Sequence, residues 1–307
     1  MNTQSNATPG SPLEPQGVAP AVISPARRFY WSVQRELWEN RSIYLAPMIA
    51  GAVFLFGFFI NTLILRRRMH GAWPLDPAQQ HQMFAAPYEI AAVLIMGTAF
   101  IVGIFYSLDA LYGERRDRSI LFWKSLPVSD LTAVLSKLAI PLVFLPLLSF
   151  AVSVVTQFLG LLLSTVALLG SGVSVSTLWS ESHFFHASGM LFYHILTVHG
   201  LWYAPIYGWL LLISAWARRA PFLWAFLPPF VIGGAERIAF NTTYIFDLLM
   251  GRVGGPEMSA RPPGGAFMTA LAVPAQFFIE PGLWIGLAIA AAFLALAVRL
   301  RRYRGPI

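Results

Sequence analysis

The chain has 307 residues, of which 57% are hydrophobic and only 11% charged, and its mean hydropathy is +0.62. Soluble domains carry about 25% charged residues, so this composition excludes a soluble domain and points to a polytopic membrane protein. The net charge of +7 does not indicate nucleic acid as a partner, because nineteen of the twenty-one basic residues are Arg gathered at the ends of apolar runs rather than lining a groove with interleaved aromatics. Cysteine is absent, which excludes disulfides, thiolate chemistry and Cys-based metal sites.

Residues 1–24 are rich in Pro, Ser, Asn and Gln and have no apolar core behind a cationic lead, so they read as a disordered cytoplasmic tail rather than a signal peptide. Residues 25–43 read as an interfacial amphipathic helix. Ser24 is placed to cap it, Pro25 suits its first position, and Phe29, Val33 and Leu37 recur at i, i+4 and i+8. Trp31 and Trp38 add aromatic anchors, and Arg27, Arg28, Arg35, Glu36, Glu39 and Arg41 form a polar side, which predicts a helix lying in the headgroup plane.

Apolar runs long enough to cross a bilayer follow at about 44–65, 88–111, 133–168, 194–216, 221–240 and 281–299. They predict a six-span domain over residues 44–300 and a short cytoplasmic tail at 301–307. The third run exceeds the needed length and holds Pro141 and Pro146, so a kink is expected before it crosses. The fifth is interrupted by Pro228-Pro229 and Gly233-Gly234, which predicts a broken or re-entrant helix. Residues 241–280 make the largest outer connection, with residues 267–278 as a candidate re-entrant helix. With both termini inside, fifteen basic residues lie on the inner side and six on the outer, as the positive-inside rule prefers. Arg66-Arg67-Arg68 then falls in the outer headgroup region.

Between the second and third runs lies Glu114, Arg115, Arg116, Asp117 and Arg118, followed by Ile120, Leu121, Phe122 and Trp123, then Leu126 and Pro127. Ile120, Trp123 and Leu126-Pro127 are expected to form an apolar knob, with the charges setting register on a partner. Ser129 or Asp130 is placed to cap the helix that follows. A plain basic loop that only fixes topology is the competing reading.

The interfacial helix, the six spans and the connector from Leu111 to Asp130, which carries Glu114-Arg115-Arg116 and closes on Leu126-Pro-Val-Ser129, resemble the permease subunit of bacterial ABC-2 type transporters. The architectural likeness covers roughly residues 25–300, and the motif covers residues 111–130. The resemblance implies an all-α membrane protein of the cytoplasmic (inner) membrane with both termini cytoplasmic, acting as an exporter subunit in a homodimer or paired permease. It also implies that the connector is the coupling helix, through which Glu114, Arg115, Arg116, Asp117, Arg118, Trp123, Leu126 and Pro127 meet a separate ATPase. No GxxxxGK[ST] phosphate loop surrounds Lys124 or Lys137, the only lysines, so ATP and Mg would belong to that partner and this chain would hold no cofactor and catalyse nothing itself.

Two other readings compete. His183, His186, His194 and His199, with Glu181 the only nearby carboxylate, suggest an outer metal-dependent hydrolase, although no HExxH motif occurs and interfacial histidines are the simpler account. A membrane assembly factor would use the same connector without moving cargo. Glu236 and Arg237 stand at the end of the fifth run as a candidate gate or polar pair. Asp109 is expected to cap or pair with the basic connector.

Overall fold

The computed structural model describes residues 24–68, 77–126, 128–168, 176, 179, 184–255 and 277–307, with backbone alone at 65–68, 77–85 and 167–168. All regular structure among the described residues is helical. Helix α1 spans Pro25–Glu39. Ser24 accepts the Arg27 backbone N–H at 3.4 Å and Pro25 takes the first position, where a missing N–H breaks no helical bond. The stripe expected to lie in the headgroups turns inward instead: Val33 is buried with Ile43, Ala99, Tyr106, Ile140 and Leu145, and Phe29 and Leu37 pack against them. Tyr30, Trp31 and Trp38 take the exposed side. Periodicity marks a face for burial without saying whether lipid or protein will cover it.

Helices α2 (Ser42–Arg68) and α3 (Pro77–Ala110) follow, then two short elements, α4 (Tyr112–Arg116) and α5 (Ile120–Ser125). Helix α6 (Asp130–Ala139) continues through a π-helical segment, Ile140–Phe144, into α7 (Leu145–Leu168). Ser129 caps α6 by accepting the Thr132 N–H at 3.1 Å. Pro141 falls inside the π-helical turn, so the third run accommodates that residue by widening its turn.

The helices of the fourth apolar run start earlier than that run suggests. They comprise α8 (Phe184–His194), a second π-helical segment (Ile195–Trp202) and α9 (Ala204–Trp216), with a 44° bend after Trp202. Helix α10 (Pro221–Phe240) is unbroken through Pro228-Pro229 and Gly233-Gly234, contrary to the break expected there. Membrane helices tolerate internal proline where neighbouring groups take up the freed carbonyls. After Asn241, whose φ of 54° reverses the chain, comes α11 (Tyr244–Gly254), a helix inside the stretch expected to be an irregular outer connection. Helix α12 (Pro281–Tyr303) ends the fold. The tail at 1–23 and most of the candidate re-entrant stretch lie outside the described residues.

Among the described residues, five helices are long and apolar enough to cross a bilayer, or six when the bent pair counts as one crossing. The chain is therefore an all-helical, multi-pass membrane protein. Two packed groups share α3. In one, α2 and α7 pack on α3 and on each other; in the other, α9 packs on α3 and, most extensively, on α12. Gly208 lets α9 approach α12 closely: a Cβ there would stand 3.4 Å from the Ala290 carbonyl oxygen and 3.5 Å from its Cα. Helix α10 touches the bundle along little of its length, and α11 packs beneath it.

Candidate functional site at the charged end of the bundle

The connector is two short helices rather than one. Arg118, at φ 58°, takes the left-handed conformation that a side chain disfavours, and this turns α5 away from α4. Its start is anchored by Ser214 of α9, whose hydroxyl accepts the N–H groups of Leu111 and Tyr112 at 3.0 and 2.9 Å.

Behind the connector is a buried lattice of charges from four parts of the sequence. The Glu114 carboxylate meets Arg35 of α1 at 3.2 Å, Lys137 of α6 at 3.1 Å and Arg301 of α12 at 3.1 Å. Lys137 also meets Glu36 at 2.8 Å, Tyr106 donates to Glu36 at 2.8 Å, and Arg301 pairs with Asp130. Glu36, Lys137 and Arg301 are 1%, 2% and 5% exposed. Three cations thus balance three carboxylates, which is what allows such groups to be buried. The Arg35 guanidinium also covers the Trp123 ring, 3.7 Å from its centroid, so α1 grips α5 directly.

Burial pushes the Glu36 carboxyl up, but Lys137, Arg35 and the Tyr106 hydrogen bond outweigh it and hold the group below its ordinary range. A carboxyl whose folded-state pKa is depressed contributes stability that is complete above its unfolded value, about 4.3, and is lost as pH falls through the folded value. Thermal melts in detergent should therefore show Glu36→Gln less stable than wild type at pH 7, with the two curves converging as the pH falls through the folded-state value of Glu36. A constant gap across that range would remove Glu36 from the acid response.

The residues expected to face a partner divide into two sets. Glu114 and Arg115 are buried, 8% and 4% exposed, and face inward. Arg115 donates to the carbonyls of Ala215 (2.6 Å) and Ala217 (3.2 Å) at the end of α9, and to Gly305 (3.5 Å). Arg116, Asp117 and Arg118 are exposed; Arg116 pairs with Asp117 at 2.9 Å and approaches Asp109 at 3.8 Å. The apolar knob also differs from expectation. Ile120 is buried and Trp123 half-buried, whereas Leu121 and Phe122 are each 60% exposed and Leu126 is exposed. Pro127 lies outside the described residues. Composition alone could not separate Ile120 from Leu121; a helix beginning at residue 120 does, because adjacent positions point 100° apart.

The C-terminal residues, which the sequence did not single out, belong to this site. The Ile307 N–H donates to the Arg115 carbonyl at 3.2 Å, and Lys124 reaches the carbonyls of Arg302 (3.3 Å) and Arg304 (3.5 Å). The end of the chain is stitched along the connector.

At the opposite end, Glu236 and Arg237 form no ion pair with each other. Glu236 instead accepts the Thr242 hydroxyl at 2.7 Å and the N–H groups of Tyr244 (2.8 Å) and Ile245 (3.0 Å), capping α11. The far end of α11 is held by Trp202 and Tyr203, which donate to the carbonyls of Arg252 (3.1 Å) and Val253 (3.0 Å). Arg252 lies over the Trp202 ring and donates to the Gly282 carbonyl at 3.1 Å, and a Cβ at Gly286 would overlap its guanidinium. That absent side chain is the socket.

Among the described residues the histidines do not converge on a metal centre. His183 and Glu181 lie outside the described residues, His186 is exposed, and His194 and His199 lie within the bent crossing with ring centroids 5.5 Å apart. No group of three or more candidate ligands exists among the described residues. No protein-family model matches the chain, and neither a curated protein nor a solved structure does.

Proposed function

We propose that this protein is the membrane-spanning permease subunit of an ATP-driven exporter of the ABC-2 type, working as a dimer or paired permease with a separate ATPase. The observation that carries this reading is the form of the connector: exposed Leu121, Phe122 and Leu126 flanked by Arg116, Arg118 and Lys124, braced from behind by the Glu114 lattice. A flexible loop that only fixes topology has no need of such a brace. A lever does, because force applied at α5 reaches α1, α6 and α12 only through rigid contacts. The partner chemistry that fits is an apolar cleft with an acidic rim on an ATPase carrying its own phosphate loop.

The inner-membrane assignment, with both termini on the cytoplasmic side, belongs to the same reading. It is supported by the gathering of α1, the connector, the α9–α10 turn and the end of α12 at one basic end of the bundle. Nucleotide-driven closure of the ATPases moves the connector, and the dimer alternates between inward- and outward-open states that the ATPase binds with different affinity.

Affinity purification of the full chain under gentle extraction should recover a phosphate-loop ATPase. Arg116→Glu with Arg118→Glu and Phe122→Ala should abolish its recovery while thermal stability stays at the wild-type level, because these side chains are exposed. Absence of any ATPase from the wild-type preparation sinks the proposal. Recovery without nucleotide-dependent flux in proteoliposomes would favour an assembly factor.

A further inference from the structure

The turn between α9 and α10 holds two arginines with no assigned role. Arg218 and Arg219 are exposed and form no ion pair among the described residues. Ala220 follows in the left-handed conformation at φ 47°, which folds the turn back so that Pro221 starts α10 directly behind the two cations. The neighbourhood is uniformly basic. Arg218 and Arg304 both lie close enough to Arg115 to repel it, and Arg115 and Arg304 are themselves committed to the backbone carbonyls of Ala215, Ala217 and Trp216. Those carbonyls satisfy two of the arginines and leave Arg218 and Arg219 without an anion.

The surface next to this turn is apolar. Trp216 and Trp224 stand edge to face with ring centroids 5.0 Å apart and are 38% and 48% exposed; Phe222 and Leu223 are 50% and 57% exposed. Exposed tryptophans at the ends of membrane helices lie at headgroup level, with the acyl region beyond them. Cations without a partner anion among the described residues, next in the chain to an exposed aromatic surface, match a ligand with a phosphate at one end and hydrocarbon at the other. A soluble anion would have no use for the wall, and an acidic protein partner would find it immersed in the bilayer.

We propose that the Arg218–Arg219 turn, with Arg304 beside it and Trp216 and Trp224 below, binds the headgroup of an anionic phospholipid. Each arginine that meets the bound headgroup contributes about a fivefold preference for an anionic over a zwitterionic lipid, so the pair gives roughly 25-fold. This inference is independent of the exporter reading and needs only that the protein spans a membrane.

The test is native mass spectrometry of the full chain in detergent micelles supplied with equal amounts of phosphatidylglycerol and phosphatidylcholine. Wild type should retain phosphatidylglycerol with that preference, Arg218→Gln with Arg219→Gln should lose most of it, and Arg218→Lys with Arg219→Lys should keep most of it. The charge-matched control Arg27→Gln with Arg41→Gln, two exposed arginines elsewhere on the basic end, should behave as wild type. No preference in wild type overturns the proposal. Equal loss in both Gln variants overturns it in favour of a diffuse field over the whole basic end. Displacement of the lipid by millimolar inorganic phosphate would make the site one for a free anion and overturns the lipid assignment.

Discussion

Replacing Glu114 with Ala should cost about 3–5 kcal/mol of stability, the range measured when one partner of a buried ion pair is removed. Glu114 is the one carboxylate in the lattice that touches three cations. After its removal Lys137 keeps Glu36 and Arg301 keeps Asp130, so neither is stranded outright, but the buried set carries one surplus positive charge. Water cannot screen it, because Lys137 and Arg301 are almost fully enclosed. The double variant Glu114→Ala with Lys137→Met restores charge balance within the core and should lose less stability than the two single losses added together. Thermal unfolding in detergent reads both effects. Strict additivity would show that the groups act separately, and a wild-type midpoint for Glu114→Ala would mean that the lattice braces nothing.

Gly208→Leu should be strongly damaging, while Gly208→Ala should be tolerated. A methyl at 208 reaches ordinary van der Waals distance from Ala290, but every atom beyond it is directed at the α12 backbone or at Phe293 Cβ, 3.5 Å from the new Cβ. Overpacking a close contact costs about 1–3 kcal/mol, and a main-chain neighbour cannot rotate away as a side chain can. The effect should also travel. Arg301 on α12 reaches Glu114, and Ser214 and Ala215 on α9 hold the start of the connector, so separating the two helices pulls on both anchors. Proteolysis within residues 112–126 should therefore accelerate in Gly208→Leu and not in Gly208→Ala. Equal protection in both would confine the damage to the bilayer region.

Much of the fold was legible because the bilayer imposes a simple requirement: apolar runs of sufficient length must be helical, since backbone groups find no water there. Ser24 and Ser129 announced their helix starts for the same local reason, a side-chain oxygen ahead of unbonded N–H groups. What could not be read was direction. The Phe29, Val33 and Leu37 stripe has the spacing of a buried face, and only tertiary packing decides that α6 covers it. Glu114 and Arg115 looked like part of a solvated charge run because most of their partners, Arg35, Ala215, Ala217 and Arg301 among them, stand far away in the chain. Helix α11 went unrecognised because its anchors are a carboxylate before it and a glycine after it, Glu236 and Gly286, neither within its own sequence. Pro228-Pro229 misled for the opposite reason, since the signal was local and the surrounding helix overrode it.

The lattice also sets an order of events during synthesis. Chains emerge from the N-terminus, and domains tend to fold in that order. Yet Glu36 waits for Lys137, and Glu114, made early, waits for Arg301, 187 positions downstream and nearly the last helical residue. Until α12 is threaded, Glu114 in the connector and Asp130 at the start of α6 lack Arg301 as their counter-charge. Closing the last turn of the last helix, which brings Arg301 to Glu114 and Asp130, is then the step that completes the charged end.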